Sequence, residues 1–388
     1  MLPQPMLSSS MQRAPSFTRT VLREFDVWDL NHDGKLSPTE LDQAALNPEF
    51  RGADAVALAA VHNWLISLRR AKEPAPVLTK TWFTNVHPIP LKLKQSEPLE
   101  EKRKEHKVYF LTSGSLQARF VICWRRLRKI AKDSNLYSTQ VPELQGIKQG
   151  QLGDCFFLAP LGAIVNRSPD AVRKMIQADG NGYEVQFGDG QKVQVGPLSE
   201  TELLIGGSST NEGLWVRVLE NAYADRNVKN GQPVLTDSDM NGGLIGYAGR
   251  ILTGHSFPGI RLVGDYKKQV SDKIVDTKLK RLRSILPKVL GDHRLVLAGT
   301  SKHEEPKSIT ASHAYAVIGY DRGADEIIIW DPHGFNFNPK GIQGLQNGYA
   351  MTNGIFSMPL PDFVHTFASI LFESKKAIPG VPKPHKRS

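Results

Sequence analysis

The sequence has little cysteine and no long apolar run, and both absences narrow the class of protein. Its 388 residues include two cysteines, Cys123 and Cys155, which are too few for a disulfide framework in a chain of this size. No segment approaches the roughly 18 apolar residues of a membrane-spanning helix, and the first residues lack the basic start and apolar core of a signal peptide. We therefore expect a cytoplasmic protein without a membrane span, with non-standard secretion left open.

The positive charge of the chain is concentrated in two short segments. The net charge is +10, and residues 115–132 and the residues after Ser374 carry many basic side chains and no acidic one. No helix-turn-helix, zinc-finger spacing or aromatic RNA-binding sheet accompanies these segments, so we do not expect a nucleic acid partner. The basic tail is either a solvated terminus or a weak contact for an anionic surface. The sequence leaves the oligomeric state open.

Shifts in composition and periodicity divide the chain into six segments. A helix-rich part precedes a strand-rich part, which predicts an α+β fold with a cleft where the two parts meet. The segments are a disordered N-terminus (1–15), a region of three amphipathic helices (16–70), a proline-rich linker (71–105), a helical subdomain (106–257), a β-rich subdomain (258–375) and a basic disordered tail (376–388).

Twelve residues between the first two predicted helices match the EF-hand calcium loop. Calcium takes six to eight oxygen ligands, and the spacing of polar residues supplies them, with Gly34 at the sharp bend. The alternative to a calcium site is an ordinary polar turn between two helices. No second loop is visible, so the predicted helix at 53–69 would take the place of the usual partner. The predicted ligands are the side chains of Asp29, Asn31 and Asp33, the carbonyl of Lys35, Ser37 through water, and both oxygens of Glu40.

A second candidate site centres on Cys155. This residue follows a Gly-Asp turn and begins an apolar run, which predicts a sulfur atom at a helix N-terminus, where unsatisfied N–H groups favour the reactive thiolate. Those N–H groups and the side chain of Gln149 would also stabilise the oxyanion of a tetrahedral intermediate. Considered alone, Cys155 is more typical of a small buried apolar residue.

A base and an orienting carboxylate are available in the strand-rich part. Of the eleven histidines, His313 stands at the start of a predicted strand, and Asp331 stands at the end of the next one. A carboxylate that accepts one imidazole N–H fixes the tautomer of the ring and stabilises its protonated form. The alternatives are a core histidine for His313 and an ordinary Asp-Pro turn for Asp331.

Four ordered blocks of the chain resemble the calpain family of cysteine proteases: residues 149–158, 214–223, 312–320 and 356–363. The likeness covers about residues 106–375. It implies a papain-like fold, with a helical subdomain that bears Cys155 and a β-barrel subdomain that bears His313. It also implies peptide-bond hydrolysis through an acyl-enzyme, on protein or peptide substrates, with Gln149 as the oxyanion donor.

The chain departs from the family pattern near the expected site. Asp331 stands where the family has Asn, and His333 stands where it has Trp, so the imidazole would be more hydrated unless Trp330 covers it. Phe156 replaces a Trp. Pro160 lies inside the predicted helix, where it removes one N–H, and we expect a local kink there.

The residues and the resemblance together predict a calpain-like cysteine endopeptidase with a Cys155–His313–Asp331 mechanism and a calcium-binding EF-hand. One alternative is a catalytically weak or inactive calcium-binding module on the same fold, which the altered residues Phe156, Pro160 and His333 favour. Another alternative keeps the triad but transfers the acyl group to an amine instead of water.

Overall fold

The structure is a computed structural model that describes residues 16–89, 108–132, 135–138, 141–150, 152–205, 213–226, 244–303 and 306–376. The segments predicted as a disordered N-terminus (1–15) and a basic tail, apart from Lys376, lie outside these residues, as does residue 90 onward of the predicted linker. Within the described residues, no helix has the length and apolarity needed to cross a bilayer.

The N-terminal helices form where the sequence predicts them. Helix α1 is capped by the side chain of Ser16, which accepts the N–H of Arg19, and α2 begins with a capping box between Ser37 and Glu40. The segment predicted as a linker contains a further helix, α4, which buries Phe83 completely. Its first part is therefore packed against this helical region. The four helices are α1 (Phe17–Trp28), α2 (Pro38–Leu46), α3 (Ala53–Ala71) and α4 (Lys80–Thr84).

A helical lobe follows, built around one buried helix. Residues Cys155 to Val165 of α6 are all buried, and the helix continues through Pro160 to Arg167. The helices Pro169–Met175 and Ile245–Thr253 pack against this buried helix, whereas Leu116–Ile130 and Glu200–Ile205 pack against Ala53–Ala71. Three strands of the lobe form a small antiparallel sheet in the order β1-β2-β3. The elements of the lobe are α5 (Leu116–Ile130), α6 (Cys155–Arg167), α7 (Pro169–Met175), β1 (Ile176–Asp179), β2 (Gly182–Gln186), β3 (Lys192–Val195), α8 (Glu200–Ile205), α9 (Trp215–Arg226) and α10 (Ile245–Thr253).

The second lobe is an antiparallel sheet in the order β4-β9-β5-β6-β7-β8, with β4 and β8 as its two edges. The expected α+β class is confirmed, but the expected β-barrel is wrong, because the described strands do not close on themselves. The elements are β4 (Gly259–Arg261), α11 (Asp272–Gly291), β5 (Val296–Gly299), β6 (Ala314–Asp321), β7 (Glu326–Trp330), β8 (Ile355–Pro359), α12 (Leu360–Thr366) and β9 (Ser369–Phe372).

Helices cover both faces of this sheet, which explains why it stays open. On β5, Leu297 faces the core of the helical lobe, whereas Val296 and Ala298 face a second core that contains α11. The sequence analysis missed α11, which lies in the part predicted as β-rich. Its signal was an apolar stripe at helical spacing, formed by Val275, Leu279, Leu282, Leu286 and Val289.

A close contact between Gly162 and Trp330 sets the spacing of the two lobes. Gly162 lies in α6, and a Cβ atom at this position would overlap the six-membered ring of Trp330 at the end of β7. Trp330 is fully buried. Cys155 begins the helix on one side of this contact, and Asp331 directly follows the tryptophan on the other. The absence of a side chain at residue 162 therefore helps to set the separation of the two candidate site segments.

Candidate functional site

Cys155 is the first residue of α6, with Asp154 at the N-cap position. Its thiol is therefore at a helix N-terminus, as the sequence predicts, and the side chain is 9% exposed. The backbone N–H of Ala314, the first residue of β6, hydrogen-bonds to the sulfur. Because His313 directly precedes Ala314, the thiol lies beside the strand start that carries the imidazole.

The surroundings of Cys155 favour the neutral thiol. Burial raises the pKa of Cys155 to about 11, and the negative charge of Asp331 and of Asp154 in its ionised form acts in the same direction. Hydrogen bonds from the backbone N–H groups of Ala314 and Phe156 act in the opposite direction but are outweighed. In this state the sulfur needs a base that removes its proton when it attacks a carbonyl carbon.

His313 and Asp331 are hydrogen-bonded to each other in the buried part of the site. The Nε2 atom of His313 lies 2.9 Å from Oδ1 of Asp331, and the two residues are 6% and 1% exposed. A neutral ring that donates Nε2–H to the carboxylate keeps its lone pair on Nδ1. Burial lowers the pKa of His313, although Asp331 opposes this. The neutral ring is the form that can accept a proton.

His333 forms a second hydrogen bond to the same carboxylate oxygen. Its Nδ1 lies 3.0 Å from Oδ1 of Asp331, and its backbone N–H donates to that oxygen at 2.8 Å. Burial alone would raise the pKa of Asp331, but the hydrogen bonds from His313 and His333 outweigh burial and hold this pKa well below its ordinary value. Asp331 is therefore ionised at neutral pH.

His333 also covers the imidazole ring of His313. Its ring stacks on that of His313 with centroids 4.3 Å apart, and on its other side it stacks on Phe335 at 5.0 Å. Trp330, considered as a possible cover for the imidazole, instead packs against Gly162. The position at which the family has Trp is thus filled by another aromatic ring, and the sequence analysis missed this covering role. The signal was the planar ring of His333 two residues after Asp331.

Gln149 connects the two lobes and lies on the loop that leads to Cys155. Its backbone N–H donates to the carbonyl of Pro332 at 2.9 Å. Its side-chain Nε2 donates to the carbonyl of Leu152 at 2.8 Å, and its Oε1 is buried without a partner among the described residues. Nε2 carries a second hydrogen. The oxyanion role of Gln149 stays a prediction.

One group of side chains in the described part of the chain has the spacing of a metal site. His313, Asp331 and His333 place one nitrogen or oxygen atom each within 4.8 Å of the others. The two N–H···O hydrogen bonds to Asp331 already explain this closeness. The group therefore needs no metal to account for its geometry.

The candidate calcium loop connects α1 and α2, and its carboxylates accept hydrogen bonds from the loop backbone. Oδ1 of Asp29 accepts the N–H of Asp33, and Oδ2 accepts the N–H of Gly34, which has a φ of +78°. Oδ1 of Asn31 also accepts the N–H of Asp33, and Oδ1 of Asp33 accepts the N–H of Lys35. All six residues predicted as ligands take part in these hydrogen bonds or in those of Glu40, and Lys35 does so through its backbone N–H.

Glu40 closes the loop from α2. Its Oε1 accepts the N–H of Asn31 at 3.2 Å, and its Oε2 accepts the N–H and hydroxyl of Ser37 at 2.8 and 2.7 Å. Burial raises the pKa of Glu40, but these hydrogen bonds outweigh it and leave the pKa below its ordinary value. Two carboxylate oxygens directed into one loop fit the bidentate ligand of a calcium site.

The loop is supported by a segment outside the two helices. Leu36 forms an isolated β-bridge with Leu78, and its N–H donates to the Leu78 carbonyl at 2.9 Å. The helix at 53–69 is the element predicted to take the place of a second loop. That helix, α3, contacts both α1 and α2, while Leu78 forms the β-bridge.

Comparison with protein families identifies the core. A family model described as calpain family cysteine protease matches residues 103–341, which is more than half of the chain and includes Cys155, His313 and Asp331. A search of curated proteins gave no match. The mixed helix and sheet fold agrees with the family assignment. The chain belongs to the calpain family of cysteine proteases.

Proposed function

We propose that this protein is a cysteine endopeptidase in which Cys155 is the nucleophile, His313 the base and Asp331 the residue that orients the base. The observation that carries the proposal is the hydrogen bond of 2.9 Å between His313 and a buried, ionised Asp331, beside a thiol at a helix N-terminus. This arrangement supplies the nucleophile, base and orienting group required for covalent catalysis.

The reaction begins with a neutral thiol and a neutral imidazole. As the sulfur of Cys155 attacks the peptide carbonyl carbon, Nδ1 of His313 accepts the thiol proton. Asp331 stabilises the resulting imidazolium through the Nε2–H bond. The oxyanion is stabilised by N–H groups at the start of α6 and by the amide of Gln149.

Collapse of the tetrahedral intermediate breaks the C–N bond. The imidazolium donates its Nδ1 proton to the leaving amine, and the acyl group stays on the sulfur as a thioester. Water then attacks the thioester with His313 as base, which releases the carboxylic acid product and restores the thiol. If an amine enters instead of water, the same acyl-enzyme gives acyl transfer.

The proposal is tested with an unstructured protein substrate such as casein. The wild-type chain should cleave it, and Cys155→Ala should remove cleavage, whereas Cys123→Ala should retain it because Cys123 is in the middle of α5, away from the site. Cleavage that persists in Cys155→Ala would contradict the assignment. Product mass spectrometry with added amine separates hydrolysis from acyl transfer.

The burial of Cys155 favours a second candidate function, a non-catalytic interaction module on the same fold. A thiol with a pKa of about 11 reacts slowly at neutral pH unless a base assists it. Relative labelling rates of the two cysteines separate these functions. Faster labelling of Cys155 than of Cys123 supports the enzyme, and equally slow labelling supports the module.

We propose further that the loop from Asp29 to Glu40 binds Ca²⁺. Support comes from the inward carboxylates of Asp29 and Glu40, the positive φ of Gly34 and the capping box that fixes Glu40. Asp29, Asn31 and Asp33, the Lys35 carbonyl, Ser37 through water and both oxygens of Glu40 would hold the ion. Isothermal titration with Ca²⁺ tests this site, and no binding heat in the wild type together with an unchanged melting curve would contradict it.

A further inference from the structure

A buried carboxyl group lies directly next to the candidate nucleophile. Asp154 is 0% exposed and occupies the N-cap position of α6, but its side chain makes no capping hydrogen bond. Neither of its oxygens receives a hydrogen bond from another side chain within the described residues. An ionised carboxylate with no donor in such a position would be strongly destabilised.

The neighbour of Asp154 is another carboxyl group. Glu220, in α9, is 1% exposed and lies within hydrogen-bonding reach of Asp154. Its Oε2 accepts an N–H of Arg217 at 2.8 Å, while its Oε1 receives no hydrogen bond from the described donors. Two carboxyl groups form a hydrogen bond only if one of them carries a proton.

The positive charges around Asp154 and Glu220 can compensate only one negative charge on this pair. Arg217 faces both carboxyl groups from α9, and Arg126 faces Glu220 and Arg217 from α5. Glu202, in α8, accepts N–H groups from Ser199 and Asn221 and uses the charge of Arg217 as well. Asp225, exposed near the end of α9, also faces Arg217.

Among the buried carboxyl groups that face Arg217 or Arg126, two balance the two guanidinium groups, because Asp225 is exposed to solvent. Burial raises the pKa of Glu202, which the charge of Arg217 and the N–H donors of Ser199 and Asn221 oppose, and Glu220 has the ion pair with Arg217. Asp154 has neither. A third negative charge would be uncompensated in a site without water contact.

We propose that Asp154 carries a proton at neutral pH and donates it to Oε1 of Glu220, which makes Asp154 a positioning residue for Cys155. The hydrogen bond ties the first turn of α6 to α9. It also keeps the residue next to the thiol uncharged, so that Asp154 adds no negative charge to that of Asp331 against formation of the thiolate.

The electrostatic surroundings support this protonation state. Burial raises the pKa of Asp154 well above its ordinary value, and the charge of Glu220 and the hydrogen bond to it act in the same direction. An ionised Asp154 would in turn raise the pKa of Cys155. The importance of this effect on the thiol rests on the proposed protease function. The protonation of Asp154 does not depend on that function.

Carbon NMR of the full chain labelled at the aspartate carboxyl carbons tests the proton directly. At pH 7.5, one aspartate signal of the wild type should have the chemical shift of a protonated acid. That signal should disappear in Asp154→Asn and persist in the matched control Asp189→Asn, because Asp189 is ion-paired with Arg226. Aspartate signals that are all ionised, or a protonated glutamate instead, would overturn the proposal. A chain without peptidase activity would still show the signal.

A second measurement follows the rate at which the Cys155 thiol is labelled. Asp154→Asn should label at Cys155 with iodoacetamide within about twofold of the wild type at pH 7.5, because a neutral group replaces a neutral group. If Asp154 is ionised, the loss of its charge will instead speed labelling tenfold for each unit by which the thiol pKa falls.

Glu220→Gln keeps the proposal testable even if Asp154→Asn does not fold. Without the Glu220 carboxylate, Arg217 loses its ion-pair partner and should draw Asp154 into its ionised form. The protonated aspartate signal should then disappear and labelling of Cys155 should slow. A protonated signal that remains in Glu220→Gln would show that its carrier is not this pair.

Discussion

The candidate calcium loop and the candidate active site are built in opposite ways. In the loop, every hydrogen bond to Asp29, Asn31, Asp33 and Glu40 given above comes from within twelve consecutive residues. The active site joins Cys155 from one lobe to His313 and Asp331 from the other, and a tight contact at Gly162 sets the lobe spacing. A local site therefore depends on its own turn, whereas an assembled site depends on the packing of the whole core.

The largest effect should follow from removal of the orienting group of the assembled site. Asp331→Ala should lower kcat/KM for peptide hydrolysis by roughly a hundredfold or more, because His313 loses its tautomer-fixing partner and His333 loses its acceptor. Asp331→Asn is the matched variant, since its amide oxygen can still accept an N–H. It should retain more activity than Asp331→Ala, and equal loss in both variants would show that charge alone matters.

The thiol should show a steep pH dependence. With the pKa of Cys155 at about 11, the thiolate fraction rises about tenfold per pH unit below that value. Labelling of Cys155 by iodoacetamide should therefore rise steadily between pH 7 and pH 10. A labelling rate that is already constant from pH 7 upward would show a preformed thiolate. It would contradict the neutral thiol of Cys155 beside the neutral imidazole of His313.

A single methyl group added at Gly162 should disturb the contact between Gly162 and Trp330. Gly162→Ala should destabilise the fold by about 1–3 kcal/mol, because the added Cβ overlaps the Trp330 ring. Activity should fall further than stability alone requires, since Cys155 and Asp331 flank this contact. Gly196→Ala is the control, because a Cβ there meets no atom within 4 Å. Equal melting temperatures and activities of the two variants would contradict the role of the contact.

The local site should give the smallest effect. Addition of Ca²⁺ at about 100 times its Kd should stabilise the wild type by about 2.7 kcal/mol, and the melting temperature should rise by several degrees. Glu40→Gln should remove this rise, and Glu49→Gln, an exposed residue outside the loop, should keep it. The same shift in both variants would place calcium elsewhere.

The difference between local and assembled features also explains which parts of the structure the sequence predicts. The three helices predicted between residues 16 and 70 follow from short patterns of apolar residues, and the structure has α1, α2 and α3 there. The α+β class also holds. Helix α11 was missed because the neighbouring strands dominated the composition of that part, although its own stripe was regular.

Features that depend on contacts between distant segments could not be derived from local patterns. The barrel expectation failed because α11 covers one sheet face, and only the fold shows where that helix packs. The ring stack of His313, His333 and Phe335 and the pairing of Asp154 with Glu220 join residues whose spacing in the chain gives no periodic signal.

The central claim is that Cys155 is a nucleophile activated from the other lobe. Labelling with an epoxide-type thiol inhibitor, followed by peptide mapping, tests it most directly in the wild type, Cys155→Ala, Cys123→Ala and His313→Ala. We predict modification at Cys155 in the wild type and in Cys123→Ala, and its loss in Cys155→Ala and His313→Ala. Modification at Cys123 instead, or undiminished labelling of Cys155 in His313→Ala, would contradict the claim.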